Sequence, residues 1–174
     1  CGTLAGIPLH ECVKALENFR LPPGRMSLIE GLGDATLIDS TYNASPETVA
    51  FALELLREFP KKHKIAVLGN MNELGDFAEE AHRSVAAHIG PWLELLVTVG
   101  VQAELIAEEA LKKGFPKAKM KVLLEADEAA EFLLPHLTKD TVILLKGSQN
   151  LVRLERAVKK LMRHPEDAKK LLCR

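Results

Sequence analysis

Residues 38–46 decide the fold class, and they read Ile38-Asp39-Ser40-Thr41-Tyr42-Asn43-Ala44-Ser45-Pro46. A strand-like apolar segment runs into a cluster of small polar groups, and Pro46 then opens a helix with Ser45 as its predicted N-cap. Proteins of the α/β class use this order of strand, polar turn and capped helix to aim backbone N–H groups at an anion. The stretch therefore predicts an α/β fold with a binding turn at the end of a strand.

The same order of strand and polar turn occurs twice more, at 67–70 (Val-Leu-Gly-Asn) and at 144–148 (Leu-Leu-Lys-Gly-Ser). From Ala35 onward, strand and helix patterns alternate five times. The strands are continuously apolar, which is typical of parallel strands covered by helices on both faces. Because the carboxyl ends of parallel strands meet at one edge, we expect residues 39–45, 69–73, Gly100 and 146–149 to lie along one rim.

These patterns predict a Rossmann-like, doubly wound, mostly parallel sheet of about six strands with helices on both faces. The opening strand, Arg25–Glu30, is expected to pair antiparallel with the next strand, Ala35–Asp39, through the turn at Gly31–Asp34. Helices after this hairpin are predicted over Pro46–Phe59, about Phe77–His88, Gln102–Lys113, Ala126–Leu134 and Leu151–Met162.

A domain boundary is predicted near residue 24. Apolar residues recur at helical spacings over Pro8–Phe19, and Leu21-Pro22-Pro23-Gly24 then stops the helix, since proline lacks the backbone donor and clashes with the preceding turn. Residues 1–24 are therefore interpreted as the terminal helix and hinge of a preceding domain, and 25–174 as a second domain. Because the first residue is Cys1 and not Met, we expect the chain to be a fragment.

Composition excludes several classes of function. Lys plus Arg is 23 and Asp plus Glu is 24, which gives a net charge of −1 and no basic surface for nucleic acid. No apolar run reaches the length of a membrane span, so no membrane partner is expected. The three cysteines are widely spaced, which argues against a disulfide scaffold or a zinc site and fits a reducing cytoplasm.

The polar turns carry groups suited to an anionic ligand but no complete catalytic site. There is no G-x-x-x-x-G-K-[ST], H-E-x-x-H or G-x-S-x-G motif. Asp39 can accept from a ribose hydroxyl, and Lys146 can supply a charge for a carboxylate or phosphate. The alternative is that Asp39 and Ser45 only cap turns, that Lys146 is an exposed loop lysine and that His82 is a surface or capping residue. The residues alone predict an α/β binding domain.

Five ordered motifs nevertheless resemble one family. They are Leu-Pro-Pro-Gly-Arg-Met at 21–26, Leu-Ile-Asp-Ser-Thr-Tyr-Asn-Ala-Ser-Pro at 37–46, Ala-Val-Leu-Gly-Asn-Met-Asn-Glu-Leu-Gly at 66–75 with His82-Arg83, Thr-Val-Gly at 98–100, and Leu-Lys-Gly-Ser at 145–148. Over nearly the whole chain this order is similar to the C-terminal portion of the Mur ligases. The similarity is greatest to the members that add D-Ala-D-Ala to UDP-MurNAc-tripeptide.

The resemblance implies part of a cytoplasmic, ATP-dependent amide ligase of peptidoglycan precursor synthesis. In that family ATP phosphorylates the carboxylate of the nucleotide-linked peptide, and the incoming amine attacks the acyl phosphate. The implied cofactors are ATP and Mg2+, with the magnesium held mainly by a central domain. The implied partners are UDP-MurNAc-peptide, a dipeptide or amino-acid acceptor, and the protein's own central and N-terminal domains. The C-terminal domain would close over ATP about a hinge, and the fragment alone would be inactive.

The resemblance also assigns roles to residues of this chain. On the ATP side, Arg25 would reach a phosphate, Asp39 would hold the ribose, and Tyr42, Asn43 and Ser45 would lie beside the nucleotide and the reacting phosphate. On the acceptor side, the pocket would be shaped by Asn70, Glu73, His82, Lys146 and Ser148. No catalytic residue and no metal ligand is expected within the fragment itself.

Other interpretations stay open. The family often has aspartate where this chain has Ser40 and Asn70, and arginine where it has Gln149, which leaves a divergent ligase with another acceptor as an alternative. A non-catalytic binding module of the same fold is a second alternative. A third is a phosphatase or receiver-like domain that uses Asp39, although Asp39 is the only aspartate at a predicted strand end.

Overall fold

The computed structural model describes residues 1–17, 19 and 21–173. Its strands are β1 (Ser27–Glu30), β2 (Thr36–Ser40), β3 (His63–Gly69), β4 (Leu95–Val99), β5 (Met120–Leu123) and β6 (Thr141–Lys146). They form one six-stranded sheet within the described residues, in the order β1-β2-β6-β3-β4-β5. β1 pairs antiparallel with β2, and the other neighbouring pairs are parallel. The predicted α/β class, the mostly parallel sheet and the antiparallel edge strand are confirmed.

The helices follow the predicted order with shorter bounds. They are α1 (Leu9–Glu17), α2 (Pro46–Glu58), α3 (Ala78–Ser84), α4 (Glu104–Lys112), α5 (Ala126–Leu133), α6 (Glu155–Leu161) and α7 (Ala168–Leu171), with short 3-10 turns between some of them. The predicted N-terminal helix includes Asn18, which lies outside the described residues, as do Arg20 and Arg174. None of the helices in the described part of the chain has the length and apolarity needed to cross a bilayer.

The predicted start of the last long helix is wrong. We expected it at Leu151, but α6 begins at Glu155. Asn150, Leu151 and Arg153 have φ angles of 68°, 52° and 56°. These left-handed conformations cannot continue a right-handed helix. The segment between β6 and α6 is therefore an irregular loop at the end of a strand.

The sheet is covered on both faces because its buried strands alternate which side chains they present to each face. In β6, Ile143 and Leu145 face a core that is completed by α5 and α6. Val142 and Leu144 face the opposite core, which is completed by α2 and α4. All four side chains are fully buried. This two-sided burial explains the continuous apolar runs in the sequence and leaves the strand ends as the place where polar groups gather.

The antiparallel edge strand carries the chain into the domain beside the polar turns. Ser27, at the start of β1, lies opposite Asp39 near the end of β2. The preceding residues are tied to the same region, since the Tyr42 N–H donates to the Gly24 carbonyl at 3.1 Å. The residues of the predicted hinge therefore lie at the rim where β2 ends.

Helix α1 has no buried side chain in the described structure. Leu9, Val13 and Leu16 are 68%, 51% and 67% exposed, although they share one helical face. An apolar face of this kind normally packs against another element. The helix is thus unlike the others of the chain, which contribute to the two cores or pack beside them.

Candidate functional site

Three polar turns meet at the carboxyl ends of β2, β3 and β6. The Ser148 N–H donates to the Asn70 carbonyl at 2.9 Å, and the Gln149 N–H donates to the Tyr42 carbonyl at 3.1 Å. Lys146 Nζ donates to the Asn43 carbonyl at 2.6 Å. Because β6 lies between β2 and β3, its turn contacts both neighbours. The prediction that these turns lie along one rim is confirmed.

A pocket of about 350 Å³ lies at the N-terminus of α2. We call it the α2 pocket, and its polar lining includes Arg25, Ser40, Asn43, Ser45 and Lys146. Ser45 caps α2 as predicted, because its side chain accepts from the Thr48 N–H while the Thr48 hydroxyl accepts from the Ser45 N–H. Its lining also includes the Glu47 carboxylate, but the two cationic side chains and the positive end of the 13-residue helix outweigh that single negative charge, an arrangement that favours an anion.

The two cations of the α2 pocket differ in exposure. The Arg25 guanidinium is exposed and stacks on the Tyr42 ring, 4.1 Å from its centroid. Lys146 is only 3% exposed. Burial, together with the neighbouring Arg25 charge, lowers the pKa of Lys146 to about 8. An anion in the pocket would favour the charged form of this lysine, so binding an anion and holding a proton on Lys146 support each other.

Asp39 lies next to the α2 pocket but is fully buried. Its Oδ1 accepts from the Thr41 N–H at 3.1 Å and from the Thr41 hydroxyl at 2.8 Å. Cys173 Sγ lies 3.4 Å from the same hydroxyl. Asp39 Oδ2 has no hydrogen-bond partner among the described residues. The carboxyl therefore stabilises its own turn, as the capping alternative predicted, and its contact with a ribose stays a prediction.

The Asp39 carboxyl is expected to make stability depend on pH. Burial raises the pKa of Asp39 to about 6, and the nearby Glu155 carboxylate adds to the rise against the Thr41 hydrogen bonds. A raised folded pKa contributes stability below the unfolded pKa, and this contribution is lost as the pH rises through 6. Relative to the Asp39→Asn variant, the wild-type chain should lose roughly 2 kcal/mol of unfolding free energy between about pH 4 and pH 7. Urea titrations at several pH values measure this, and a constant difference would contradict the raised pKa.

Asn70 connects the turn after β3 to the start of α4. Its Oδ1 accepts from the Ala103 N–H at 2.9 Å, and the side chain is 8% exposed. Gly100 leaves the space that this contact needs, since a Cβ at that position would lie 2.7 Å from Asn70 Oδ1. An aspartate would supply the same acceptor. Asn70 therefore supplies the same oxygen as the aspartate that the resemblance led us to expect at this position.

Asn70→Ala is expected to destabilise the chain by about 1–3 kcal/mol, because it leaves the buried Ala103 N–H without an acceptor. Asn70→Asp keeps the acceptor and should cost less than half as much at about pH 4 or below, where burial keeps the carboxyl protonated and uncharged. Denaturant unfolding of the two variants at that pH measures the difference. Equal losses in both variants would show that the Asn70 carbonyl oxygen does not contribute.

Of the remaining predicted acceptor residues, Glu73 is exposed and has a left-handed φ of 64°, whereas His82 is fully buried. The surface alternative for His82 is wrong. Its Nδ1 donates to the Ala78 carbonyl at 2.6 Å, and its Nε2 accepts from the Met71 N–H at 2.9 Å. Burial lowers the pKa of His82, which favours the neutral ring that this pattern requires. His82 therefore fixes the backbone of the turn after β3 through its bond to the Met71 N–H.

Sequence reasoning missed several residues of this region. Thr41 binds the Asp39 carboxyl, and Asn72 donates its side-chain N–H to the Gln149 carbonyl at 2.7 Å. Both lie inside the motifs that indicated the family, and this position in the sequence could have identified them as residues of the rim. Cys173 is far away in sequence, and nothing in its surroundings indicated a contact with Thr41. A separate cavity of about 310 Å³, lined by Leu93, Phe115 and neighbours, contains none of the predicted site residues.

Metal binding does not follow from the residues present. Among the described residues, no three carboxylate, imidazole or thiol side chains converge into a group that could hold an ion. The α2 pocket instead places two cationic side chains against one carboxylate, a balance that suits phosphate or carboxylate oxygens.

The sequence that builds this rim is shared with a known family. A family model described as the Mur ligase, glutamate ligase domain matches residues 24–149. The chain belongs to the Mur ligase family. The match begins at the predicted hinge and includes all the predicted site residues. The resemblance that the ordered motifs indicated is therefore confirmed.

Individual relatives agree with this family. The chain is 32% identical over 168 residues to a UDP-N-acetylmuramoyl-tripeptide–D-alanyl-D-alanine ligase of Bacillus subtilis (strain 168), covering 94% of this chain and 36% of the relative. MurF from Acinetobacter baumannii superposes with a TM-score of 0.73 at 28% identity, over 92% of this chain and 34% of that one. MurF ligase from Thermotoga maritima in complex with ADP gives 0.72 at 27% identity, over 97% and 36%. The chain thus spans about a third of the length of these relatives.

Proposed function

We propose that this chain is the ATP-closing, amine-substrate-binding part of an ATP-dependent ligase that adds D-Ala-D-Ala to UDP-MurNAc-tripeptide. The observation that carries the proposal is the α2 pocket, where Arg25, Lys146 and the N-terminus of α2 surround one space. The relatives of known name supply the substrate class, and the Thermotoga maritima relative was solved with ADP. The reaction belongs to cytoplasmic peptidoglycan precursor synthesis.

The α2 pocket suits the charge that develops in such a reaction. Transfer of the terminal phosphoryl group of ATP to a carboxylate gives an acyl phosphate and ADP. Attack by the neutral amine then places negative charge on the tetrahedral centre, which collapses to the amide as phosphate leaves and the amine nitrogen loses a proton. Arg25, Lys146 and the dipole of α2 would stabilise the negatively charged oxygens electrostatically. Magnesium would neutralise ATP phosphates when bound, held by residues outside this chain. Asp39, Tyr42, Asn43 and Ser45 would border the nucleotide.

The acceptor would lie on the β3 side of the same rim. Asn70 and His82 fix the turn that carries Glu73, and this turn contacts the segment 146–149. The exposed Glu73 carboxylate would pair with the ammonium group of an incoming acceptor, which must lose a proton before the amine attacks.

Residues 1–24 are proposed to belong to a preceding domain that holds most of the ATP site. The exposed apolar face of α1 supports this proposal, because Leu9, Val13 and Leu16 lack packing partners in the described structure. The relatives are long enough to contain such a domain, since this chain covers 36% of the Bacillus subtilis protein. Rotation about Pro22–Arg25 would then bring the α2 pocket onto bound ATP.

The test is ATP-dependent ligation by the complete natural protein that contains these residues. Phosphate release should require UDP-MurNAc-tripeptide and an acceptor together, and D-Ala-D-Ala should be the best acceptor in a panel of amino acids and dipeptides. A product of the expected mass confirms the new amide bond. If no member of the panel is ligated, the proposal fails. If another amino acid is preferred, the divergent-acceptor alternative replaces it.

A further inference from the structure

The Ser148 hydroxyl connects the turns that follow β2 and β3. It accepts from the Ala44 N–H at 3.3 Å and from the Asn72 N–H at 3.0 Å. It donates to Asn43 Oδ1 at 3.2 Å. Ala44 and Asn43 belong to the turn before α2, whereas Asn72 belongs to the turn after β3. One side chain on β6's turn therefore holds both neighbouring turns.

These contacts use the whole hydrogen-bonding capacity of the hydroxyl. A serine hydroxyl has one donor and two acceptor lone pairs, and Ser148 makes one donated and two accepted bonds. The residue is also only 7% exposed. The Ser148 hydroxyl therefore has no free donor or lone pair for a bound amino acid. A direct contact with the acceptor, which the family resemblance implied, would require breaking one of these bonds.

The backbone around Ser148 repeats the same connections. Its own N–H donates to the Asn70 carbonyl, and the Asn72 side chain donates to the Gln149 carbonyl. On the other side, Lys146 Nζ donates to the Asn43 carbonyl. Segment 146–149 thus has hydrogen bonds to both turns at once, and Ser148 is the residue whose side chain bonds to each of them.

We infer that Ser148 is a positioning residue that couples the nucleotide-side turn at Asn43–Ala44 to the acceptor-side turn at Asn72. The inference rests on the proposed function, because that function assigns ATP to one turn and the amine acceptor to the other. A residue that positions both turns acts on both substrates, whereas a residue that contacts only the acceptor acts on one.

The test compares Ser148→Ala with wild type in the complete natural protein. Loss of the hydroxyl leaves the Asn72 N–H without its acceptor and the Asn43 side chain without its donor, whereas the Ala44 N–H keeps its 2.9 Å bond to Asn43 Oδ1. We expect the KM values for ATP and for D-Ala-D-Ala to rise together, each by about tenfold. A rise confined to the KM for D-Ala-D-Ala would overturn the inference in favour of direct contact. Ser84→Ala is the matched control, since the Ser84 hydroxyl bonds only within its own helix and is exposed.

Asn43→Ala is a second variant that does not depend on a buried substitution, because Asn43 is exposed. It removes the oxygen that accepts from both the Ser148 hydroxyl and the Ala44 N–H on the nucleotide side. Coupling through Ser148 predicts a rise in the KM for D-Ala-D-Ala of about threefold or more, although Asn43 is not on the acceptor side. An effect limited to ATP would contradict the coupling.

Amide hydrogen exchange separates this inference from the proposed function. In Ser148→Ala the Asn72 amide should exchange about tenfold faster or more, whatever reaction the protein catalyses, because the Ser148 hydroxyl is its acceptor. The Ala44 amide should accelerate less, since it keeps Asn43 Oδ1 as an acceptor. Unchanged exchange at Asn72 would overturn the inference. If exchange accelerates at Asn72 but the wild-type protein ligates nothing, the positioning by Ser148 stands and the proposed function fails.

Discussion

Replacing Lys146 with methionine in the complete natural protein is expected to lower kcat/KM for ATP-dependent ligation by about 10²-fold. The reason is electrostatic: the lysine is buried, and its charge therefore acts on the phosphoryl or acyl oxygens with less screening than in bulk water. Methionine keeps the length of the side chain and removes the charge. The rate of phosphate release, measured against ATP concentration at saturating peptide and dipeptide, gives this kcat/KM.

Stability should not follow activity in this variant. Lys146 is 3% exposed, and its pKa is lowered to about 8 because the fold disfavours its charge. Removing that charge offsets the lost hydrogen bond to the Asn43 carbonyl, so the free energy of unfolding should stay within about 1 kcal/mol of wild type. In the wild type, kcat/KM should fall above about pH 8 as the free lysine loses its proton, and Lys146→Met should lack this limb.

Lys119→Met is the matched control, because Lys119 is exposed beside the cavity that contains none of the predicted site residues. Its kcat/KM should be unchanged. A loss of less than threefold in Lys146→Met, with the control unaffected, would show that the α2 pocket does not stabilise the reacting oxygens. A large loss of stability would instead identify Lys146 as a structural residue.

Gly100→Ala is expected to cost about 3 kcal/mol of unfolding free energy, the largest stability effect predicted for this chain. Gly100 has a φ of 102°, which disfavours any residue with a Cβ. A Cβ would also lie 2.6 Å from Val152 Cγ2 and 2.7 Å from Asn70 Oδ1. The conformational cost and the overpacking therefore add, about 1–2 kcal/mol from each.

Gly114→Ala separates these two costs. Gly114 has a similar φ of 91°, but a Cβ added there would have no neighbour within 4 Å. Gly114→Ala should therefore lower the free energy of unfolding only by the conformational cost, about 1–2 kcal/mol. Guanidinium titrations of both variants give the difference, which reports the packing of Val152 and Asn70 against Gly100. Equal losses would mean that these neighbours move aside at no cost.

The fold was largely predictable because strands that are buried on both faces require continuous apolar residues in the sequence. Continuous apolar runs such as Val142–Leu145 identified buried parallel strands, and the turn at Gly31–Asp34 identified the antiparallel edge. The position of β6 between β2 and β3 was not predictable, since hydrophobic periodicity does not encode strand order. The start of α6 was missed because the left-handed residues Asn150, Leu151 and Arg153 are not glycines.

The candidate site was predictable as a set of turns but not as a set of contacts. Parallel topology alone brings Asn43, Asn70 and Ser148 together. Whether each side chain faces a ligand or the protein depends on local hydrogen bonds that spacing does not reveal. Asp39, His82 and Ser148 all bond inward, to Thr41, Met71 and the neighbouring turns. Arg25 and Tyr42 remain accessible at the surface.

The reversed direction of β1 has a mechanical consequence. By placing Ser27 beside Asp39, it makes the connecting peptide enter next to the α2 pocket. The proposed rotation would therefore have its axis beside the reacting groups, and the β5 edge, at the opposite side of the sheet from β1, would move the farthest. Because Arg25 and Lys146 lie close to that axis, a large rotation of the sheet would displace these two side chains only slightly. A longer connection between Pro23 and Arg25 would make the positions of Arg25 and Lys146 less precise and would leave the sheet unchanged.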